Sequence, residues 1–242
     1  HGWGATAGNR CSTDHVIEML AEHFYVIAPE HSGLIRSEAP QELWSWYDYA
    51  QSLHELLTQL RLQKPIIMGQ SFGGGIASMY AALYPQELST LILVDAVTTD
   101  RPYDTLGIRM KHGWDRLSLK LFESLLVPLT VKRALISLWT GAPTDILNQE
   151  TIQERAIMSR IDMHKDLKEP LRLDYKDIKV PIILVWGDKD TWNTPIRRAR
   201  EIHEEVPGSK LIVVPGTHTV LYQKPQEIVA QRLPELGIQC HS

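Results

Sequence analysis

Two cysteines are all that the 242 residues contain, Cys11 and Cys240, set near opposite ends of the chain. They pair only if the fold brings those ends together, so no disulfide framework can be read from the sequence. Neither C-x-x-C nor H-E-x-x-H occurs, and nothing else has the spacing of a metal site. No stretch of about 18 residues is apolar throughout, the length a membrane-crossing helix needs. The richest stretch, Leu121 to Trp139, is interrupted by Glu123, Pro128, Lys132 and Arg133. An excess of positive charge is missing too. The formal net charge is −4 and the sequence pI about 6.2, which gives no sign of a nucleic-acid-binding surface. Internal repeats, low-complexity tracts and long blocks of like charge are likewise absent.

What remains is the composition of an ordinary globular chain, with 43% hydrophobic and 22% charged residues. Its length is enough for one large domain with a sizeable core. Apolar runs and helical patterns alternate. Thr13–His23 and the region Pro40–Leu60 read as helices, the second with Tyr49, Leu53, Leu56, Leu57 and Leu60 at helical spacing. Phe24–Ala28, Ile66–Met68, Leu91–Val94, Ile182–Val185 and Leu211–Val214 read as buried strands. Phe72–Leu83, Pro195–Val206 and Pro225–Leu233 read as the helices that follow. Such alternation predicts an α/β fold, a mostly parallel sheet covered by helices on both faces. Between Val97 and Tyr175 the rhythm changes to long amphipathic stretches with no strand between them, punctuated by Pro128 and Pro143.

The most informative stretch is Gly69-Gln70-Ser71-Phe72-Gly73. It lies between an apolar strand pattern and a helix rich in small residues. A G-x-S-x-G on a strand-to-helix turn holds its serine out over the end of a sheet, and the turn is too sharp for side chains at its flanks. Gly69 and Gly73 leave that room. A hydroxyl is a poor nucleophile at neutral pH, so Ser71 needs a base, and the base an orienting carboxylate. Downstream, Asp190 follows the strand pattern Val180–Val185, and His218 follows Leu211–Val214. Of the ten histidines, His218 sits on a loop after a late strand. His23, His54 and His203 lie in helical patterns, where a solvated or packed imidazole is the default.

Taken in order, these stretches resemble the α/β-hydrolase superfamily, in its small, cap-bearing branch. The opening His1-Gly2-Trp3-Gly4 looks like that family's oxyanion loop, and it is similar to the opening of several carboxylesterases. Pro29–Ser37 resembles the family's D-x-x-G-x-G-x-S loop, with Glu30 in place of the Asp and Ile35 in place of the second Gly. The resemblance implies Ser71 as nucleophile, His218 as base and Asp190, the fourth residue of a G-x-x-D, as acid. Asp188 and Asp95 are the alternative acids. It also implies an oxyanion hole made by the backbone N–H groups of Trp3 and Phe72, with His1, Gly2, Gly69 and Gly73 in support. No cofactor and no metal are implied.

The same resemblance divides the chain into a core, residues 1–97 and 176–242, and an inserted helical cap, residues 98–175. It implies strands ahead of the His-Gly pair, which the chain as given lacks, and the expected compartment is the cytoplasm. The expected reaction is hydrolysis of a carboxylic ester through an acyl-enzyme. The expected substrate is a small molecule with an apolar acyl part. Serine at the elbow argues against dehalogenase and epoxide-hydrolase chemistry, which use Asp there. Two other readings stay open. One is hydrolysis of a C–C bond in ring-cleavage products, weakly disfavoured by Thr219 beside His218. The other is a non-catalytic ligand-binding relative.

Overall fold

The computed structural model describes residues 1–2, 13–32, 37, 44–98, 128, 130–131, 134, 171–190 and 194–232. Among the described residues, four parallel strands form a sheet: β1 (Ile66–Gln70), β2 (Thr90–Val94), β3 (Ile182–Gly187) and β4 (Lys210–Val214). They lie side by side in chain order. Each crossover must return the chain to the same end of the sheet, which is the topology that helices between parallel strands produce. The described helices are α1 (Thr13–Ala21), α2 (Trp46–Gln59), α3 (Phe72–Leu83), α4 (Ile196–Glu205) and α5 (Val220–Gln223). A 3-10 turn at Tyr175–Asp177 and a π-helical stretch at Gln226–Arg232 complete them. None of the described helices is long and apolar enough to cross a membrane.

The strands are apolar on both faces because both faces are covered. Successive side chains point to opposite sides. Leu91 and Leu93 of β2 and Ile182, Leu184 and Trp186 of β3 join Ala77, Tyr80, Ala199 and Ile202 of α3 and α4 on one side. Ile92, Val94, Ile183 and Val185 join Val16 of α1 and Val220, Leu221 and Ile228 on the other. The register pairs Leu91 with Ile182 and Leu184 with Leu211, which keeps each layer in line across the sheet.

A third cluster lies at the C-terminal end of the sheet, where Trp46, Tyr49, Phe72, Ile76 and Leu171 pack together. There α2 begins in a capping box. The Ser45 hydroxyl accepts from the Asp48 N–H, and the Asp48 carboxylate accepts from the Ser45 N–H at 2.7 Å. The cap fixes where Trp46 enters the cluster.

One expected strand is not a strand. Phe24–Ala28 is irregular, without a ladder partner among the described residues, and Tyr25 is almost fully exposed. A cavity of about 480 Å³ lies between this segment and β1, lined by Phe24, Val26, Ile27, Ile66, Ile67 and others. Apolar content predicts burial, but a strand also needs a paired edge, and here the segment borders a cavity. The helix expected over Pro40–Leu60 begins at Trp46 in the described part. The Pro225–Leu233 helix is π-wound over 226–232. Most of the expected cap, with Trp114 and Trp139, lies outside the described residues, as do Cys11 and Cys240.

The approach of α2 to α3 sets how tightly the third cluster closes. A Cβ on Gly75 would meet the Trp46 ring at 2.4 Å, and Trp46 is itself buried. Alanine is favoured over glycine inside a helix by about 1 kcal/mol, so this substitution sets propensity against packing. Gly75→Ala is expected to lower stability by about 1–3 kcal/mol, the usual cost of overpacking. Urea unfolding checks it. A neutral or stabilised variant would mean that the Trp46 ring can move aside.

Candidate active site

The site sits at the C-terminal ends of the parallel strands, where open α/β sheets place their ligands. Ser71 stands between β1 and α3 with φ 50° and ψ −115°. A left-handed φ at a residue with a Cβ is strained, by about 1–3 kcal/mol. It persists because the surroundings over-determine it. The Ser71 N–H donates to the Val94 carbonyl at 3.0 Å, and the Ser71 carbonyl accepts from Gly74 at 2.9 Å and from Val97 at 2.8 Å. The sharp turn also folds the helix start back onto the strand end. A Cβ on Gly69 would lie 2.4 Å from the Gly73 carbonyl oxygen, so a side chain has no room there.

His218 reaches this turn from the loop after β4. Its Nε2 lies 2.9 Å from Ser71 Oγ, and its Nδ1 lies 2.7 Å from Asp190 Oδ2. Asp190 is 2% exposed, while His218 keeps partial access to solvent. With Nδ1–H donating to the carboxylate, Nε2 is left as the acceptor facing the hydroxyl, which is the tautomer a general base needs.

The rival carboxylates are engaged elsewhere. Asp188 Oδ1 accepts from the Gly216 N–H at 2.9 Å, tying the β3 loop to the histidine loop. Asp95, at the end of β2, is fully buried with φ 40°. Its Oδ1 accepts from the Gly187 N–H at 2.9 Å. Burial pushes its carboxyl up to about 7. The Gly187 amide and His218 pull the other way, Asp190 adds to the rise, and the Val220 amide lowers it.

Thr194 binds these pieces together and was not singled out from sequence. Its Oγ1 lies 2.5 Å from Asp190 Oδ2, 3.0 Å from the Asp95 carbonyl oxygen and 3.1 Å from His218 Nδ1. The hydroxyl has one proton, and the shortest contact directs it to Asp190. The Thr194 N–H approaches the other carboxylate oxygen at 3.3 Å. Its carbonyl accepts from Trp186 Nε1 at 2.6 Å, which pins the loop to a buried ring of the core. A threonine just before Pro195 was the available signal, but its partners come from three separate loops.

Of the expected oxyanion elements, Phe72 is the first residue of α3 and Trp3 lies outside the described residues. His1 and Gly2 lie against the elbow. The His1 carbonyl accepts from the Gly73 N–H at 3.1 Å, and the His1 ring packs against His31 at a centroid distance of 4.4 Å, the two planes tilted by 44°. The His31 N–H approaches His1 Nε2 at 3.4 Å. His1 thus fastens the opening loop to the loop at 30–31, and it makes no contact with Ser71 among those described. Burial lowers the His31 imidazole well below its usual range, so it packs as a neutral ring.

Asp95 generates a pH prediction. Its folded carboxyl, raised from 3.8 to about 7, holds a proton that the unfolded chain has already released. The folded state therefore loses stability as pH rises through that window, and the loss is complete above it. Asn carries no such charge and tolerates the left-handed backbone. Asp95→Asn should accordingly gain on the wild type by roughly 2 kcal/mol between about pH 5 and pH 8. Denaturant unfolding across pH checks this, and parallel pH curves for the two proteins would contradict it.

The chain's relatives agree with this architecture. A family model described as alpha/beta hydrolase fold matches residues 1–130. An uncharacterized protein of Mycobacterium tuberculosis is 27% identical over 247 residues, covering 95% of this chain and 71% of the relative. Lipase 3 of a Moraxella species is 25% identical over 236 residues, 88% of this chain and 68% of the lipase. Among solved structures, MGS-M2, an alpha/beta hydrolase enzyme from a deep-sea metagenome library of the Medee basin, superposes with a TM-score of 0.77. It is 18% identical, and the match covers 100% of this chain and 88% of that one. With more than half of its length matched by the family model, the chain belongs to the α/β-hydrolase fold family.

Proposed function

We propose that this hydrolase cleaves carboxylic esters through an acyl-enzyme on Ser71. The observation that carries the reading is the pair of contacts made by one imidazole, 2.9 Å to Ser71 Oγ and 2.7 Å to Asp190 Oδ2. In the first half-reaction His218 Nε2 takes the Ser71 proton as Oγ attacks the ester carbonyl. The tetrahedral intermediate then collapses, and His218 returns that proton to the departing alkoxide. In the second half-reaction water attacks the acyl-enzyme, its proton passing through His218 to Ser71 as the acid leaves. Asp190, charged and buried, offsets the positive charge that His218 acquires in both.

The backbone N–H groups of Phe72 and Trp3 are assigned to the oxyanion, where one donor is worth roughly 3 kcal/mol of barrier. The similarity to a lipase supports an ester, and the apolar residues of 98–175 suit an acyl group of some hydrophobic length. That segment, read as a cap, would then set chain-length preference.

Turnover of p-nitrophenyl esters tests the reading. Ser71→Ala should lose several orders of magnitude in kcat, keeping a residue of rate over water. Asp190→Asn should lose about 10⁴-fold, as the wrong tautomer of His218 is stabilised. Asp95→Asn and Asp188→Asn should lose far less. Equal, mild effects for the three aspartates would mean that the acid is another group, and an undiminished Ser71→Ala would end the serine mechanism.

Thr194→Val keeps the shape and removes the hydroxyl that steadies Asp190. A loss of about 10- to 100-fold in kcat at unchanged KM is expected, the scale of a small misplacement of reacting groups. Unchanged kcat would show that the buried carboxylate holds its place unaided.

A further inference from the structure

Gln70, the residue before the serine, is buried at the end of β1. Nothing in the reaction above uses its side chain. Yet it spans three of the loops that the reaction needs. Its Nε2 donates to the His218 carbonyl at 3.2 Å. Its Oε1 accepts from the Tyr222 hydroxyl at 3.3 Å. The backbone N–H of Gly2, in the opening loop, faces the same Tyr222 hydroxyl. Gly2 itself is pressed on the amide, since a Cβ there would lie 2.0 Å from Gln70 Oε1.

We propose that Gln70 and Tyr222 are positioning residues of the hydrolase reaction, joined in one directed chain of hydrogen bonds that sets His218 and the opening loop against the Ser71 elbow. The inference rests on the serine-hydrolase reading above. Direction is what makes the chain specific. The Gly2 N–H can only donate, so Tyr222 accepts there and has its single proton left for Gln70. Burial raises the Tyr222 phenol, so that proton stays on. The His218 carbonyl can only accept, so the amide must present its NH₂ to it. Gln70 thus accepts at one end and donates at the other. A carboxylate of the same shape would set a second acceptor against the His218 carbonyl. An apolar side chain would leave that half-buried carbonyl, and the Tyr222 proton, without their partner.

The geometry accounts for two of the site's requirements together. The His218 ring has to stay 2.9 Å from Ser71 Oγ, and Gln70, one bond away along the backbone, holds the carbonyl of the same histidine. The opening loop has to keep the backbone just after Gly2 in place, and Tyr222 holds the Gly2 N–H. Loosening the chain should therefore slow the chemical step and leave ester binding largely alone.

Gln70→Met, Gln70→Glu and Tyr222→Phe, with the double variant Gln70→Met/Tyr222→Phe, test this on p-nitrophenyl esters beside the wild type and Ser71→Ala. Each single variant should lose about 10- to 100-fold in kcat, with KM changed less than about twofold. Gln70→Glu should lose more than Gln70→Met, since it adds a repulsion. The double variant should resemble the worse single one, because residues acting as a unit are not additive. Unchanged kcat in folded Gln70→Met and Tyr222→Phe, with Ser71→Ala inactive, would overturn the positioning role and leave the serine mechanism standing. Effects that multiply in the double variant, or that fall on KM alone, would also overturn it. A Ser71→Ala as active as the wild type would instead overturn the underlying reading.

Discussion

The backbone of Ser71 is the constraint on which the site depends. A serine with φ 50° is unstable in isolation, and it is held by β2 and its exit loop through Val94 and Val97 and by the first turn of α3. Those partners exist only because β1 and β2 are parallel and in register, with Gln70 opposite Val94. The strain therefore ties the position of one hydroxyl to the order of the whole sheet. It also explains the glycine at 69, because the turn brings the start of α3 back on the end of β1 with no space for a side chain there.

Around this point the strand ends form a polar layer above an apolar core. Asp188, Asp190 and Thr194 spend oxygens on backbone amides, on one another or on His218, and Asp95 spends Oδ1 on the Gly187 amide while its buried Oδ2 has no partner among the described residues. Such a layer is costly to bury unless its members are paired. The pairing divides labour between three nearby carboxylates. Asp188 joins two loops, Asp95 braces Gly187 with a carboxyl raised by burial, and Asp190 faces the imidazole. With its carboxyl raised to about 7, Asp95 carries less negative charge below that pH to compete with Asp190 for His218.

How much of this could be read beforehand depended on how local the signal was. The parallel sheet followed from apolar runs alternating with helical patterns, and Ser71 from five adjacent residues between a strand and a helix. His218 and Asp190 came from their place after late strands and from resemblance, and the structure brings both to Ser71 in one line of contacts. Asp188 and Asp190 are harder to tell apart, since a single residue separates them and only the Gly216 amide shows that Asp188 ties two loops together. Gln70 and Thr194 were illegible for a different reason. Their partners lie far away in the chain, and no periodicity encodes a contact between residues 70 and 218. Phe24–Ala28 misled because hydrophobicity reports burial and says nothing about whether an edge is available to pair.

Labelling with a fluorophosphonate tests the account most directly, because it asks which atom is nucleophilic without assuming a substrate. The reagent should add one phosphonyl group per chain, and peptide mass mapping should place it on Ser71. Labelling that requires His218, and is lost in His218→Ala, would follow from the 2.9 Å contact between the two. A folded, ester-hydrolysing sample that stays unlabelled, or that carries the adduct on another residue, would contradict it.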